Sequence, residues 1–295
     1  MKENCFSVVI TTKDRLSYLE RALLSILNST KLPSEIIIVN DGGAIPTFTD
    51  VSNSGVDIVF LNFNESRGAN YCRNQGIIKA NNDKVFLLDD DDSVTSSSFE
   101  SRMKVTEKNK NFGIVFTGIN IILSSNLEKV VRVVPPKDSY DYYKSLFING
   151  NVIGSTSRVL LSKKAFQNVG MFDENLKSLQ DYELWLRIAE IFSVHHDNSI
   201  GVNYTVHDTG TQISSSYTKY IESADYIKNK YSTVNYKLYN KMVSNLYLRV
   251  AISAAHSSVT TKIKYILKSN EYSVNFKSLA LLLPYKFLKK IRPFI

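Results

Sequence analysis

Cysteine is nearly missing from this chain of 295 residues, with Cys5 and Cys72 the only two. They stand far apart and without ligand spacing, which excludes a disulfide framework and a zinc site and fits a reducing, cytoplasmic compartment. Long apolar runs are missing too. Met1-Lys2-Glu3-Asn4 leads straight into Phe6-Ser7-Val8-Val9-Ile10, without the apolar stretch and small-residue cleavage site of a secretory leader. The longest C-terminal apolar run, residues 279–283, falls far short of the roughly 20 residues that a membrane-spanning helix needs. Glycine fingerprints of phosphate-binding loops and dinucleotide folds are absent, and residues 11–16 hold no glycine at all. No nucleic-acid motif accompanies the basic charge, so nucleic acid is not an expected partner.

What is present suffices for a sizeable core. A hydrophobic content of 43% over this length suggests one large domain, or one domain with an elaborated C-terminal part. The formal charge is +8, and residues 260–295 carry eight Lys or Arg against Glu271 alone, a local 8 − 1 = +7. Those cations alternate with Phe276, Leu279, Leu282, Leu283, Tyr285, Phe287, Leu288 and Ile291. Such a tail either lies on an anionic membrane surface or packs on the domain as a solvated basic segment, and both readings stand.

Along the first hundred residues, short apolar runs alternate with helix-like stretches, the pattern of parallel strands joined by crossover helices. Strands are expected at 8–10, 36–39, 57–61 and 85–88, with helices at 16–27 and 68–80. Ile36-Ile37-Ile38-Val39 is a continuous β-branched run of the kind buried on both faces of a parallel sheet. Beyond Phe112 the pattern is mixed, with strands expected at 114–123 and 129–134 and a helix at 179–192. From Tyr217 onward it turns mostly helical. His195 and His196 fall between a helix and a strand and carry no partner motif. Ligands of open parallel sheets bind outside the carboxyl ends of the strands, which singles out Thr11, Asp41 and the run Asp89-Asp90-Asp91-Asp92.

Four adjacent carboxylates repel one another unless a cation or strong donors offset the charge. Mg²⁺ or Mn²⁺ is the natural partner, since either binds through one or two carboxylates and completes its shell from a substrate diphosphate and water. The bland reading is an acidic turn that caps the next helix, helped by Ser93 and Thr95. Asp41 before Gly42-Gly43 also reads as a plain turn residue, and Arg73 as a surface ion pair. Rival chemistries exist. Asp90-Asp91-Asp92-Ser93-Val94 fits the signature of a haloacid-dehalogenase-type phosphatase with an aspartate nucleophile, although no second paired-aspartate motif accompanies it. A nucleotidyltransferase would share the sheet and acidic site but would want a glycine-rich N-terminal loop, and a non-catalytic binding module is the third option.

Five blocks together resemble glycosyltransferase family 2. They are Val8-Val9-Ile10-Thr11-Thr12-Lys13-Asp14-Arg15; Ile37-Ile38-Val39-Asn40-Asp41-Gly42; Arg67-Gly68 through Cys72-Arg73-Asn74-Gln75-Gly76; Phe86-Leu87-Leu88 with the four aspartates; and Leu179-Gln180-Asp181-Tyr182-Glu183-Leu184-Trp185-Leu186-Arg187. They cover roughly residues 5 to 190 in the order and spacing of the family. The resemblance implies an α/β fold of the GT-A type, a Rossmann-like mixed sheet flanked by helices. Residues 1–215 would form the glycosyltransferase domain, with 1–110 its nucleotide half and 111–215 its acceptor half. Residues 216–295 would form a helical, basic extension.

It further implies an inverting transfer from a nucleotide-diphosphate sugar, most simply a UDP-sugar, to a saccharide or lipid-linked saccharide of bacterial surface polysaccharide, at the cytoplasmic face of the membrane. Thr11, Asp41 and Arg73 would contact the nucleotide, with Asp41 accepting from a pyrimidine NH. Asp89 and Asp90 would lie near ribose and phosphates, and Asp91 would bind Mn²⁺ or Mg²⁺, the register within the run being open by one. Asp181 would be the catalytic base, a role that needs a carboxylate placed to take the acceptor hydroxyl proton. Its bland reading is a helix N-terminal aspartate. The family often has Glu-Asp where this chain has Gln180-Asp181. His207, in the loop 207–214 that resembles a lid over the diphosphate, would be a further metal ligand.

Overall fold

The computed structural model describes residues 5–46, 55–208, 216–255, 257–274, 278 and 281–282. The chain opens with β1 (Ser7–Thr12), α1 (Leu16–Leu27), β2 (Glu35–Asn40), β3 (Asp57–Asn62), α2 (Ala69–Lys79) and β4 (Lys84–Asp89). Next come β5 (Ser93–Val94), α3 (Ser98–Lys108), β6 (Phe112–Leu123), β7 (Asn126–Val134), α4 (Tyr142–Asn149), β8 (Val159–Ser162) and α5 (Lys163–Asn168). The last elements are α6 (Gln180–Ile191), β9 (Ser193–Val206), α7 (Tyr217–Lys230), α8 (Tyr236–Ala254) and α9 (Val259–Tyr272).

Packing divides the chain into two units. The first comprises residues 1–138, 153–174 and 184–206; the second comprises 139–152, 175–183 and 207–295. Residues 139–152 and 175–183 thus group with the C-terminal helices, and the last segment of the sheet unit ends at Val206.

The first unit holds the whole sheet, in the order β3-β2-β1-β4-β8-β6-β9-β5, with β7 paired to β6. β1 lies between β2 and β4 and is parallel to both. Every residue of β2 is buried, as its unbroken aliphatic run requires. β8 runs antiparallel to β4 and β6 and makes the sheet mixed. α1 packs Leu19, Ala22, Leu23 and Ile26 inward, the spacing of an amphipathic helix. Phe6, Phe86 and Phe99 form an aromatic cluster beneath it, with ring centroids 4.8 to 5.1 Å apart.

The sequence pattern does not mark α3, α4, α5, β5 or β8. β9 begins at Ser193, so His195 and His196 lie inside a strand and not before one. His196 contacts Asp138 through Nε2 at 2.5 Å and packs on Phe116.

In the second unit, α8 is the central helix and buries Met242, Val243, Leu246, Tyr247, Val250 and Ala251. Asn245 Nδ2 donates to the carbonyls of Phe147 and Ile148 at 3.1 and 3.0 Å and so closes the C-terminal end of α4. Among the described residues, no helix is long and apolar enough to cross a membrane.

Candidate active site

Register gathers the sequence candidates of the first unit at one edge. Thr11 of β1 stands opposite Val39 on one side and Asp89 on the other. Asp41 follows β2, and its N–H donates to Thr12 O at 2.9 Å. Thr11, Asp41 and the aspartate run therefore share the carboxyl end of three adjacent parallel strands, where open sheets take their ligands.

Asp41 holds the adjoining loop. Its carboxylate accepts from Ser66 Oγ at 2.8 Å, Arg67 N at 2.6 Å and Gly68 N at 3.0 Å, which ties it to the N-terminal end of α2. Partial burial works against its charge, but the donors from Arg67, Ser66, Cys72 and Gly68 prevail and hold its pKa below the ordinary value. Burial, with Asp41 beside it, pushes the Cys72 thiol up to about 12, which keeps it protonated at neutral pH. The two glycines after Asp41 are required by close approach. A Cβ on Gly43 would lie 2.2 Å from Asp14 Oδ1, and one on Gly42 3.0 Å from Ser66 N, with φ +92° and +77° at the two positions.

The four aspartates alternate. Asp90 is buried: its Oδ2 accepts from Thr12 Oγ1 at 2.7 Å, and its Oδ1 forms an ion pair with Arg15 Nη2 at 2.9 Å. Asp92 is buried as well and accepts from Thr205 N at 2.8 Å. Asp89 and Asp91 keep side-chain exposures of 27% and 19%, against 1% for Asp90. Asp89 accepts from Arg73 Nη2 at 2.7 Å and Thr156 Oγ1 at 3.2 Å, while Asp91 Oδ2 accepts from Arg15 Nη1 at 2.8 Å. Arg21 anchors the turn from below, donating to Asp91 O and to Thr205 Oγ1.

Burial drives the Asp90 pKa up to about 6 against the pull of Arg15 and Thr12, and burial together with Asp91 and Asp89 raises that of Asp92. The run is a turn between β4 and β5, closed by Asp92 N donating to Asp89 O at 3.1 Å, and does not cap the next helix. A phosphatase nucleophile at Asp90 would have to be open to substrate, and here its side chain is buried, with Oδ2 taken by Thr12 and Oδ1 facing Arg15.

Two carboxylates of this arrangement are placed to meet a divalent cation. Asp89 and Asp91 are the two members of the run that reach the surface, one residue apart, and Arg15 already stands between Asp90 and Asp91 as a positive charge. Among the described residues no three His, Cys, Asp or Glu side chains are grouped as metal ligands. A Mg²⁺ or Mn²⁺ ion held by these carboxylates would complete its shell from diphosphate and water, the usual habit of these ions. His207 belongs to the second unit and is half-buried; residues 209–215 of its loop lie outside the described residues.

Arg73 reaches the acidic turn from a helix whose inward face is polar. α2 buries Asn70, Arg73 and Asn74, the 3-4 spacing of a core stripe filled with hydrogen-bonding groups. Asn74 exchanges hydrogen bonds with the backbone of Phe172 at 3.0 Å each way and donates to Glu174 Oε1 at 2.8 Å; Asn70 donates to Asp173 O at 2.8 Å. Gly76 lets this helix press on the sheet, since a Cβ there would lie 2.4 Å from Val9 Cγ1.

In the second unit, Asp181 sits in the first turn of α6, half-exposed. Its Oδ2 accepts from Asn151 Nδ2 at 3.0 Å and its Oδ1 from Tyr182 N at 2.7 Å. Glu183, two residues on, is fully buried and paired with Lys230 Nζ at 2.8 Å. The two acids of this block are thus distinct: one presents a carboxylate outward and one is sealed in packing.

The sequence profile described as "Glycosyltransferase like family 2" matches residues 7–252. The chain belongs to this family. An uncharacterised glycosyltransferase of Rickettsia typhi is 29% identical over 222 residues, 72% of this chain and 68% of that protein. The GalNAc(5)-diNAcBac-PP-undecaprenol beta-1,3-glucosyltransferase of Campylobacter jejuni is 25% identical over 288 residues, 94% of this chain and 92% of that one. Among solved structures, S. aureus TarS superposes with a TM-score of 0.58 at 14% identity over 94% of this chain, which spans 50% of the TarS chain. TarS 1–349 in complex with UDP-GlcNAc gives a TM-score of 0.56 at 12% identity over 90% of each chain.

The fold is therefore that of the GT-A glycosyltransferases, a curled mixed sheet flanked by helices, and the chemistry of family 2 is glycosyl transfer. Within the family 2 blocks, the sequence had given no role to Thr12, Arg15 or Cys72, and Arg21, Asn151, Thr156, Ser157 and Thr205 went unmarked. Arg15 alone carried a usable signal, a cation three residues beyond a strand end that faces an acidic run. Thr156, Ser157 and Thr205 serve the turn from 67 or more positions away, a separation at which local pattern is silent.

Proposed function

We propose that this family 2 member is an inverting glycosyltransferase that moves a sugar from a UDP-sugar to a hydroxyl of a lipid-linked saccharide, with Mn²⁺ or Mg²⁺ at Asp91. The carrying observation is the pair of outward carboxylates, Asp89 and Asp91, flanked by Arg73 and Arg15 at the carboxyl edge of the sheet. Carboxylates that hold a cation beside guanidiniums that meet a diphosphate are what a nucleotide-sugar donor requires. The TarS 1–349 complexes with UDP and UDP-GlcNAc support uridine as the base. The name of the C. jejuni relative supports an undecaprenol-linked saccharide as acceptor, and with it surface-polysaccharide synthesis at the cytoplasmic face of a membrane.

In this reading Thr11 and Asp41 border the nucleoside, and Asp89 meets ribose and phosphate. Asp90 serves the same pocket through Arg15, which it orients. Asp91 would hold the cation, which would supply charge neutralisation for the departing diphosphate. Asp181 takes the proton from the acceptor hydroxyl as that oxygen attacks the anomeric carbon from the side opposite UDP, and rear attack inverts the configuration. Asn151 fixes one Asp181 oxygen and leaves the carboxylate aimed.

The test is calorimetric titration with UDP, GDP, dTDP and CDP, with and without Mn²⁺, on the wild type and on Asp91→Ala. Binding of UDP that needs Mn²⁺ and falls at least about tenfold in the variant supports the assignment. Binding of no nucleotide, or binding indifferent to both metal and substitution, overturns it.

A further inference from the structure

The basic character of the chain is concentrated in its last 80 residues. Residues 216–274 contain nine Lys or Arg and three acids, 9 − 3 = +6, and residues 275–295 add five cations and no acid. The C-terminal 80 residues therefore carry +11 and the preceding 215 carry −3, which sums to the formal +8. Such segregation gives one part of the molecule a strong positive field and leaves the donor-binding part slightly negative.

Within that cationic part, α9 carries apolar side chains on its outer face as well as on its buried one. The inner face buries Lys262, Tyr265, Ile266 and Ser269, with Tyr265 against Tyr247 of α8 at 5.5 Å and Ser269 Oγ against Ser244 Oγ at 3.0 Å. The outer face carries Val259, Ile263 and Leu267, exposed by 62, 44 and 61%. They stand at i, i+4 and i+8, so they form a single ridge along the helix, about 12 Å from first to last at the α-helical rise. Lys264 and Lys268 follow that ridge on one flank, the second of them also stacked on Tyr247 and Tyr265. A surface helix ordinarily turns charge to water at these positions.

We propose that α9 seats the protein on an anionic lipid bilayer, with Val259, Ile263 and Leu267 entering the headgroup region and the lysines beside them meeting lipid phosphates. The combination selects this partner. Aliphatic side chains with cations alongside are the composition of an in-plane interfacial helix. Nucleic acid offers the charge but no apolar layer to receive the ridge. A second copy of this chain would bring the same positive field and be repelled. The inference is independent of the donor-site assignment above, because it concerns a different unit and requires neither metal nor nucleotide.

The experiment is vesicle co-sedimentation of the full chain on phosphatidylcholine alone and on phosphatidylcholine mixed with phosphatidylglycerol, at low and high salt, with size-exclusion chromatography in parallel. Wild-type protein is expected on the anionic vesicles at low salt and at least about tenfold less on neutral vesicles or at high salt. Ile263→Ser with Leu267→Ser should lower the partition coefficient about tenfold or more while melting like wild type, and Lys264→Glu should lower it severalfold. Because these side chains face solvent, folding is not at stake, and a matched melting curve establishes it. Partitioning that is absent in the wild type, or equal in wild type and ridge variants, overturns the proposal. So does a concentration-dependent dimer that the double serine variant disperses, which would make the ridge a contact between copies.

Discussion

Replacing Asp90 by Asn should stabilise the first unit at neutral pH, although it deletes one partner of an ion pair. Burial lifts this carboxyl from its ordinary 3.8 to about 6, and the opposing pull of Arg15 and Thr12 recovers only part of the loss. The gap corresponds to about 3 kcal/mol of unfavourable free energy for the ionised side chain in the folded state. Asn carries no charge to desolvate, and its Oδ1 can still accept from Thr12 Oγ1. Its amide cannot pair with Arg15 Nη2, a loss of about 1 kcal/mol, while Arg15 keeps Asp91 at 2.8 Å. The net expectation is a gain of about 2 kcal/mol at neutral pH.

The sign follows from linkage. A carboxyl with a raised folded pKa binds its proton more tightly in the folded state than in the unfolded chain. Its stabilising contribution is complete below about pH 4 and is lost as the pH climbs through about 6. The difference between variant and wild type should therefore be near zero or negative in acid and grow to its full value at neutral pH. Asp92 is shifted in the same direction but is present in both proteins, so the comparison isolates Asp90. Urea unfolding followed by the fluorescence of Trp185 is the assay, since this single tryptophan is fully buried in the same unit. A variant less stable than wild type at neutral pH, or a difference that does not change with pH, would refute the reasoning and make the Arg15 pair the dominant contribution.

Asp41 should behave oppositely: its depressed pKa means a contribution present above about pH 4 and lost in stronger acid, and Asp41→Ala, which strands the N–H groups of Arg67 and Gly68, should cost about 1 to 2 kcal/mol by the same urea assay. Gly76→Ala should destabilise by about 2 kcal/mol in spite of the better helix former, because its Cβ meets Val9 and Val39 in the sheet core; unchanged stability would show that α2 can lift without penalty. Asp181→Asn should lower kcat by about a hundredfold or more and leave UDP affinity as in wild type, measured by UDP release and calorimetry, and a loss confined to KM would remove Asp181 from the base role. Glu183→Gln should instead lower the melting temperature of the second unit, since it leaves Lys230 without its buried carboxylate partner.

The parallel half of the sheet was legible because its signal is local and redundant. The aliphatic runs of β1, β2 and β4 are buried on both faces, and each ends in a polar residue, so the sequence marks both the strand and its functional end. β5 has two residues, and β9 mixes His195, His196, Asp197 and Asn203 through fourteen positions, eight of them only partly buried; neither offers a period to read. α3 hides for a related reason, since its buried positions include Ser98, Arg102 and Thr106 in place of an aliphatic stripe. Membership of 139–152 and 175–183 in the C-terminal unit is a property of packing and has no mark in the sequence.

The acidic run shows where local reading stops at the site itself. Four identical residues carry no internal clue to which ones face the ligand. The choice is made by Thr12 and Arg15, which take Asp90 inward from 78 and 75 positions away, and by Thr205, which takes Asp92 inward from 113. With those two drawn inside, Asp89 and Asp91 are the members of the turn that keep side-chain exposure. The metal register proposed for Asp91 thus rests on partners distant in sequence and adjacent in the fold. On the proposed donor site, the two buried aspartates have a reason to persist: with Arg15 and Thr205 N they fix the turn that carries Asp89 and Asp91, and the burial of Asp90 is the stability given up for it.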